Sequence, residues 1–407
     1  MFYLTPNIAV TSVLNPGMRV FDVVVRSDYG TSYNSYTVIG SEGVALIDTA
    51  HHNFQDCYFN NVDDSLKGKT PRYLIVNHAE PDHSGAIPDL LGIYPDLTIL
   101  CTASAAINLK NITNRDDLPI QVVKDGDSIS LGDRTLEFMM APFLHWPDTM
   151  FTWCPEEKVL FTCDFLGCHY CEPQYLDSLI TYPKAYDKSL EQYFGAIFSP
   201  FIEYVQKGLA KIDGLDIEHV CTSHGPILTK GVLLEEVVRR YHAWSDPVKH
   251  DVLQVPVFYC TAYGNTAFLA EAIAAGVKDA IPSADVQLCN LTGLSESDLE
   301  EMAVLAVQSD AFLIGSPTIN RDAVPPVLNM LSFLGLFFLT KRPAAVFGSY
   351  GWSGEAVAHI SERLRQMKVD VYGEGFRVTF VPTADDLAKA REFGRGFGES
   401  LKSLPAK

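Results

Sequence analysis

At 407 residues the chain is longer than a single hydrophobic core usually sustains, so two domains are expected. A composition of 47% hydrophobic and 20% charged residues is that of a folded globular protein and excludes a disordered or low-complexity chain. A formal net charge of -19 excludes an electrostatic grip on nucleic-acid backbones; it suits a basic or weakly charged redox partner, and equally plain solubility.

From Tyr36 to about His224 the chain reads as short strands and loops. Apolar runs at Val44–Ile47, Tyr73–Val76, Leu97–Cys101 and Val159–Thr162 are each followed by polar residues. Chemistry-bearing residues just past strand ends are the mark of a loop-built site on a sheet scaffold. A helical stretch from Gly231 to Ala243 closes this half, and Ser245, Asp246 and Pro247 supply a turn. The domain boundary is placed there, giving 1–250 and 251–407. Beyond it, strands at Val255–Cys260, Asp285–Leu291, Ala311–Gly315, Ala344–Gly348 and Val378–Val381 alternate with helical segments such as Asn265–Ala280 and Glu355–Met367. That rhythm predicts a parallel, doubly wound α/β sheet with ligands at the carboxyl ends of its strands.

No run approaches the roughly 18 apolar residues of a membrane span, and the N-terminus lacks a signal-peptide pattern, so a cytoplasmic protein with no membrane partner is expected. The nine cysteines are odd in number and scattered, as reduced thiols would be. Cys168 and Cys171 form a CxxC pair, but no second pair completes a four-cysteine metal site, and both read as free thiols.

The densest cluster is His78, Glu80, Asp82 and His83, two imidazoles and two carboxylates before the Ser84–Gly85 turn. In an extended segment alternate residues share a side, so His78, Glu80 and Asp82 are expected to converge, with His83 swinging round as the chain turns towards a helix. His145, Asp164 and His224 lie in similar surroundings. Each alone reads as an ordinary polar loop residue. Together they are too many for one tetrahedral ion and suit two ions sharing a carboxylate: His78, Glu80 and His145 on one, Asp82, His83 and His224 on the other, Asp164 between them.

This pattern resembles the metallo-β-lactamase fold, an αββα sandwich whose zinc hydrolases carry HxHxDH followed by later His, Asp and His ligands. Asp48 resembles a structural aspartate of that superfamily. Glu80 stands where the hydrolases have a histidine, and the added carboxylate favours iron over zinc.

In the second half, Thr261, Ala262, Tyr263, Gly264, Asn265 and Thr266 lead from a strand into a helix, with small hydroxyl residues and a glycine at the helix start. This is a nest for a terminal phosphate, and it resembles the phosphate loop of flavodoxins. Two further strand ends, Ser316-Pro317-Thr318-Ile319-Asn320 and Ser349-Tyr350-Gly351-Trp352-Ser353-Gly354, fall where a flavin ring would lie, with Trp352 placed to stack on it or shield it.

HxExDH, the later His, Asp and His, and a flavodoxin-like half together resemble the flavodiiron proteins over almost the whole chain. The resemblance implies a di-iron centre, FMN, and reduction of dioxygen to water or nitric oxide to nitrous oxide. It also implies a head-to-tail homodimer or dimer of dimers. Because the chain ends soon after the flavodoxin-like half, it is expected to lack the rubredoxin or flavin-reductase extensions of longer relatives. Electron donors consistent with it are rubredoxin, reduced deazaflavin or a nicotinamide-dependent reductase. His169 and Tyr193 are the expected proton donors or supporting partners at the metals. Whether His83 binds iron or is displaced stays open. A binuclear zinc hydrolase with an accessory flavodoxin-like half is the alternative; a non-catalytic electron carrier is a third.

Overall fold

Val44–Ile47 is buried along its whole length, as a strand covered on both faces must be. It is central to a seven-stranded sheet in the spatial order Phe2–Thr5, Ile8–Val10, Tyr36–Ile39, Val44–Ile47, Tyr73–Ile75, Thr98–Cys101 and Ile120–Val122. Pairing is antiparallel up to Val44–Ile47 and parallel beyond it. A second sheet runs Ser128–Ser130, Thr135–Met140, Met150–Cys154, Val159–Cys163, His219–Thr222 and Leu228–Thr229.

One apolar layer joins the two sheets: Ile8, Val38, Ala45, Ile47 and Ile75 from the first meet Phe138, Met150, Val159 and Phe161 from the second. The first sheet's other face packs Leu46, Leu74 and Ile99 on Tyr58, Val62, Leu90 and Leu109 of its helices. The second sheet's packs Phe151 and Leu160 on Leu190, Leu209 and Tyr241. Helix, sheet, sheet, helix is the expected sandwich.

The computed structural model describes residues 1–23, 25–246, 250–337, 339 and 341–402, in two units spanning 1–246 and 247–407. Pro247, expected to help turn the chain between domains, lies outside the described residues.

The second unit is a parallel sheet in the order Leu288–Asn290, Val257–Tyr259, Phe312–Pro317, Pro343–Tyr350 and Phe376–Thr379, which is the 2-1-3-4-5 order of a flavodoxin-like sheet. Asp370–Val371 pairs with the start of the fourth strand on the same edge as Phe376–Thr379. Alternate residues feed opposite faces: Phe258, Phe312, Ile314 and Val346 pack against helices on one side. Val257, Leu313, Ala345 and Phe347 pack against Asn265–Ala280 and Ala384–Leu401 on the other. Those two helices touch backbone to backbone, and a Cβ on Gly276 would lie 1.9 Å from the Arg391 carbonyl oxygen.

Three elements differ from expectation. The helix expected from Gly231 runs Leu234–Ser245, because Gly231 sits at φ 75° and donates its N–H to the Glu235 carboxylate in a turn before the helix. The second parallel strand narrows from 285–291 to Leu288–Asn290, with Asp285 making only an isolated bridge to Gln254. The fifth begins at Phe376 and ends at Thr379, where Phe380 turns to φ 55°. Among the described residues no helix is long and apolar enough to cross a membrane.

Candidate metal centre

Strand ends deliver the cluster. After Tyr73–Ile75 the chain reaches Asn77 and His78, and the buried Asp48 at the end of the neighbouring strand ties this loop down, accepting the Asn77 backbone N–H at 2.8 Å. Glu80 precedes a short helix, Pro81–Ser84, that opens on proline. Asp82 therefore stands on a helical turn and not in an extended segment as the sequence reading had it. Proline's fixed φ starts a helix readily, and the turn carries Asp82 and His83 away from His78 and Glu80.

The structure brings all seven expected residues together in two groups. Ligating atoms of His78, Glu80, His145 and Asp164 lie within 4.8 Å of one another, as do those of Asp82, His83 and His224. Asp164 faces both groups. Its Oδ2 is 3.6 Å from His78 Nε2 and 3.7 Å from His145 Nε2; its Oδ1 is 3.2 Å from His83 Nε2 and 3.3 Å from His224 Nε2. Glu80 Oε2 lies 3.1 Å from His78 and 3.2 Å from His145, and Asp82 Oδ2 3.2 Å from His224. All are buried except His145, whose side chain is 13% exposed and marks the open side.

Burial alone would neutralise Glu80 and Asp164, yet the imidazoles around them hold both carboxyls well below the usual range. His83, also opposed by burial, is raised to about 9 by Asp82 and Asp164, and His78 is raised well above the usual histidine range by Asp148 and Glu80. The pocket thus concentrates carboxylate charge and calls for cations in its midst; metals would take the place of the imidazole protons. Both carboxylate oxygens of Asp82 and of Asp164 and both ring nitrogens of His83 are buried without a hydrogen-bond partner, which fits ligand atoms turned to an ion.

Further residues surround this cluster; of these Asp148, Ser32 and Asp22 were not expected from the sequence, whereas His169 and Tyr193 were. Asp148 accepts the Ala79 backbone N–H at 2.7 Å and the His78 Nδ1–H at 3.3 Å, leaving His78 Nε2 to face inwards. The Ser32 carbonyl accepts from His224 Nδ1 at 2.6 Å. Asp22, beside Glu80, is raised to about 6 by burial and by the Glu80 charge; it lies in a turn where Asp22 and Val23 have φ of 46° and 58°. His169 packs against His224 and Tyr193, each at 4.8 Å between ring centroids. Burial keeps the His169 imidazole well below, and the Tyr193 phenol well above, their ordinary values, so both are neutral.

In the second unit, Gly264 at φ 86° turns the chain into the helix Asn265–Ala280, which has no side-chain cap and no acidic residue in its first turn. Its first N–H groups stay free for an anion. Thr261 Oγ1 is buried without a partner, a second fit to a phosphate, while Thr266 and Ser349 join their hydroxyls at 2.8 Å. Ser316 is committed to the fold, donating to the Pro317 carbonyl and accepting the Val324 N–H. Thr318 Oγ1 accepts the Ala356 N–H. Around this strand end Tyr263 is 91% and Trp352 86% exposed, with Ile319 half-exposed, an apolar rim open to a ring. Asn320 takes φ 52°; Ala262, Asn265, Pro317, Tyr350, Gly351, Ser353 and Gly354 complete the three loops.

Residues 31–225 match the family model described as ODP family beta lactamase, and residues 257–394 match the Flavodoxin model. The chain is 43% identical over 396 residues to the Flavo-diiron protein FprA2 of Clostridium acetobutylicum, covering 97% of this chain and 98% of that one. It is 32% identical over 380 residues to the Anaerobic nitric oxide reductase flavorubredoxin of Salmonella typhi, covering 92% and 77%. Among solved structures, rubredoxin oxygen:oxidoreductase from Desulfovibrio gigas is similar at a TM-score of 0.73 and 25% identity, covering 99% of this chain and 98% of that one.

Proposed function

Starting from the chain's membership of the flavodiiron protein family, we propose that it reduces dioxygen to water, and nitric oxide to nitrous oxide, at a di-iron centre fed by FMN. The observation that carries this reading is Asp164, whose two oxygens face two separate sets of ligating atoms. A carboxylate so placed holds two ions close enough to share one small molecule. Glu80 and Asp82, one in each set, make both sites mixed nitrogen and oxygen donors, which suits iron. An all-zinc hydrolase has no use for the phosphate-ready loop of the second unit.

Bound iron and FMN supply electron transfer and binding of a diatomic gas. The chain's own residues hold them: His78, Glu80, His145, Asp82, His83 and His224 around the irons, and the Thr261–Thr266 loop at the FMN phosphate. Asp148 and the Ser32 carbonyl fix the two imidazoles whose Nε2 atoms face the cluster. His169 and Tyr193, buried beside His224, dry the pocket and offer hydrogen bonds at its wall. Dioxygen to two waters takes four electrons and two nitric oxides to nitrous oxide take two, so two irons and one FMN can serve either gas.

The relatives' names include both a nitric oxide reductase and an oxygen oxidoreductase; dioxygen is taken as the first substrate to test. Rubredoxin, a reduced deazaflavin or a nicotinamide-dependent reductase would supply electrons. A head-to-tail homodimer, placing one subunit's FMN beside its partner's irons, would cover the exposed rim of Tyr263 and Trp352. All nine cysteines are free thiols, in keeping with the cytoplasm.

Metal and flavin analysis of the purified protein tests the reading: about two irons and one FMN per chain are expected. Two zincs and no flavin would overturn it. Glu80→His should shift metal preference towards zinc.

A further inference from the structure

We infer that Thr31 fixes the tautomer of His169, so that this imidazole presents a standing N–H at Nε2 to the metal pocket as a hydrogen-bond donor for the bound gas. The inference rests on the reading of the site as a gas-binding di-metal centre, and it makes Thr31 a positioning residue.

The argument follows protons through one buried chain of groups. His224 turns Nε2 to Asp82 Oδ2 at 3.2 Å and to Asp164 Oδ1 at 3.3 Å, so that nitrogen is its ligating atom and its ring proton sits on Nδ1. That proton goes to the Ser32 carbonyl at 2.6 Å. The Thr31 hydroxyl lies 3.1 Å from the same Nδ1 and also 3.1 Å from His169 Nδ1. A hydroxyl has one proton to give. Its other acceptor, the Ser32 carbonyl, is 3.2 Å away, outside the usual O–H···O range of about 2.5–3.0 Å. The Thr31 proton therefore goes to His169 Nδ1, which is then an acceptor, and the His169 ring proton is left on Nε2.

That Nε2 is buried and has no partner in the protein. Phe21 and Tyr193 pack on the ring at 4.7 and 4.8 Å between centroids. An unsatisfied buried donor beside a metal ligand is what a small polar guest requires.

The test uses the full chain with FMN, labelled with nitrogen-15 at histidine and loaded with zinc so that iron does not broaden the signals. Long-range proton–nitrogen correlation should show His169 with its proton on Nε2 and a pyridine-like Nδ1. Thr31→Val should mix the two tautomers and Thr31→Ser restore the single one. In iron-loaded samples Thr31→Val should lower kcat for gas reduction about five- to tenfold with KM changed less than about twofold, and Thr31→Ser should recover it. A proton on Nδ1 in the native chain, or a Thr31→Val variant with unchanged tautomer and kcat, would overturn the inference. Metal content measured on the same samples keeps the two readings apart. Two bound zincs with the wrong tautomer overturn this inference alone, whereas failure to bind two metals overturns the reading of the site.

Discussion

Asp148→Asn isolates the support of one metal position. The native carboxylate accepts the Ala79 N–H and the His78 Nδ1–H through the same Oδ2, while Oδ1 is buried with no partner. The amide oxygen of asparagine can keep both hydrogen bonds, so the loop is expected to fold as before. Two things change: the negative charge that raises His78 basicity is lost, and an NH2 group enters a place without an acceptor. Mutation of such an orienting partner typically weakens metal affinity about 10- to 100-fold, or about 1.4–2.8 kcal/mol. His78 belongs with Glu80, His145 and Asp164, so the loss should fall on that position and spare the one at Asp82, His83 and His224. Competition with a chelator of known affinity should therefore show one tight and one weakened metal per chain. Two metals held within about twofold of native affinity would refute the reasoning.

Asp164→Ala removes the group shared by both sets and should abolish gas reduction while the flavin spectrum stays unchanged; retained turnover would count against the bridging role. Thr261→Val removes an unpartnered buried hydroxyl at the phosphate loop, and should weaken FMN binding about tenfold or more by fluorescence titration. His219 is held below the ordinary histidine value by burial, with Asp177 and Glu218 opposing. The unfolded chain thus takes up a proton that the native state refuses, so this contribution to stability is complete above about pH 6.5 and is lost as pH falls below it. His219→Gln should flatten that part of the urea-stability profile, and an unaltered slope would contradict the assignment.

The cluster of candidate ligands was legible in the sequence because imidazoles and carboxylates are dense between His78 and His83 and because His145, Asp164 and His224 lie in similar strand-and-loop surroundings. The parallel type of the second unit's single sheet, and an order compatible with 2-1-3-4-5, could be anticipated from strand and helix alternation. Partners from distant chain were not legible: Ser32 meets His224 across 192 positions, and Thr31 meets His169 across 138, with no local pattern to mark them. Asp148 had a weak signal, a carboxylate three residues after His145, but Trp146-Pro147-Asp148 also reads as an ordinary turn. Pro81 is the residue that signals a helix start here, and it places Asp82 inside the first turn. The fifth strand lies two residues earlier than the apolar run Val378–Val381 suggests, because the chain leaves the sheet where Phe380 turns to φ 55°.

The most direct test of the account is to count electrons. The protein is reduced fully without oxygen and then given dioxygen in small steps while flavin and metal absorption are followed. The account predicts uptake of about four electrons per chain, two on FMN and two on the irons, and complete reoxidation by about one dioxygen with water as the product. Uptake of only the flavin's two electrons, or release of hydrogen peroxide, would contradict it.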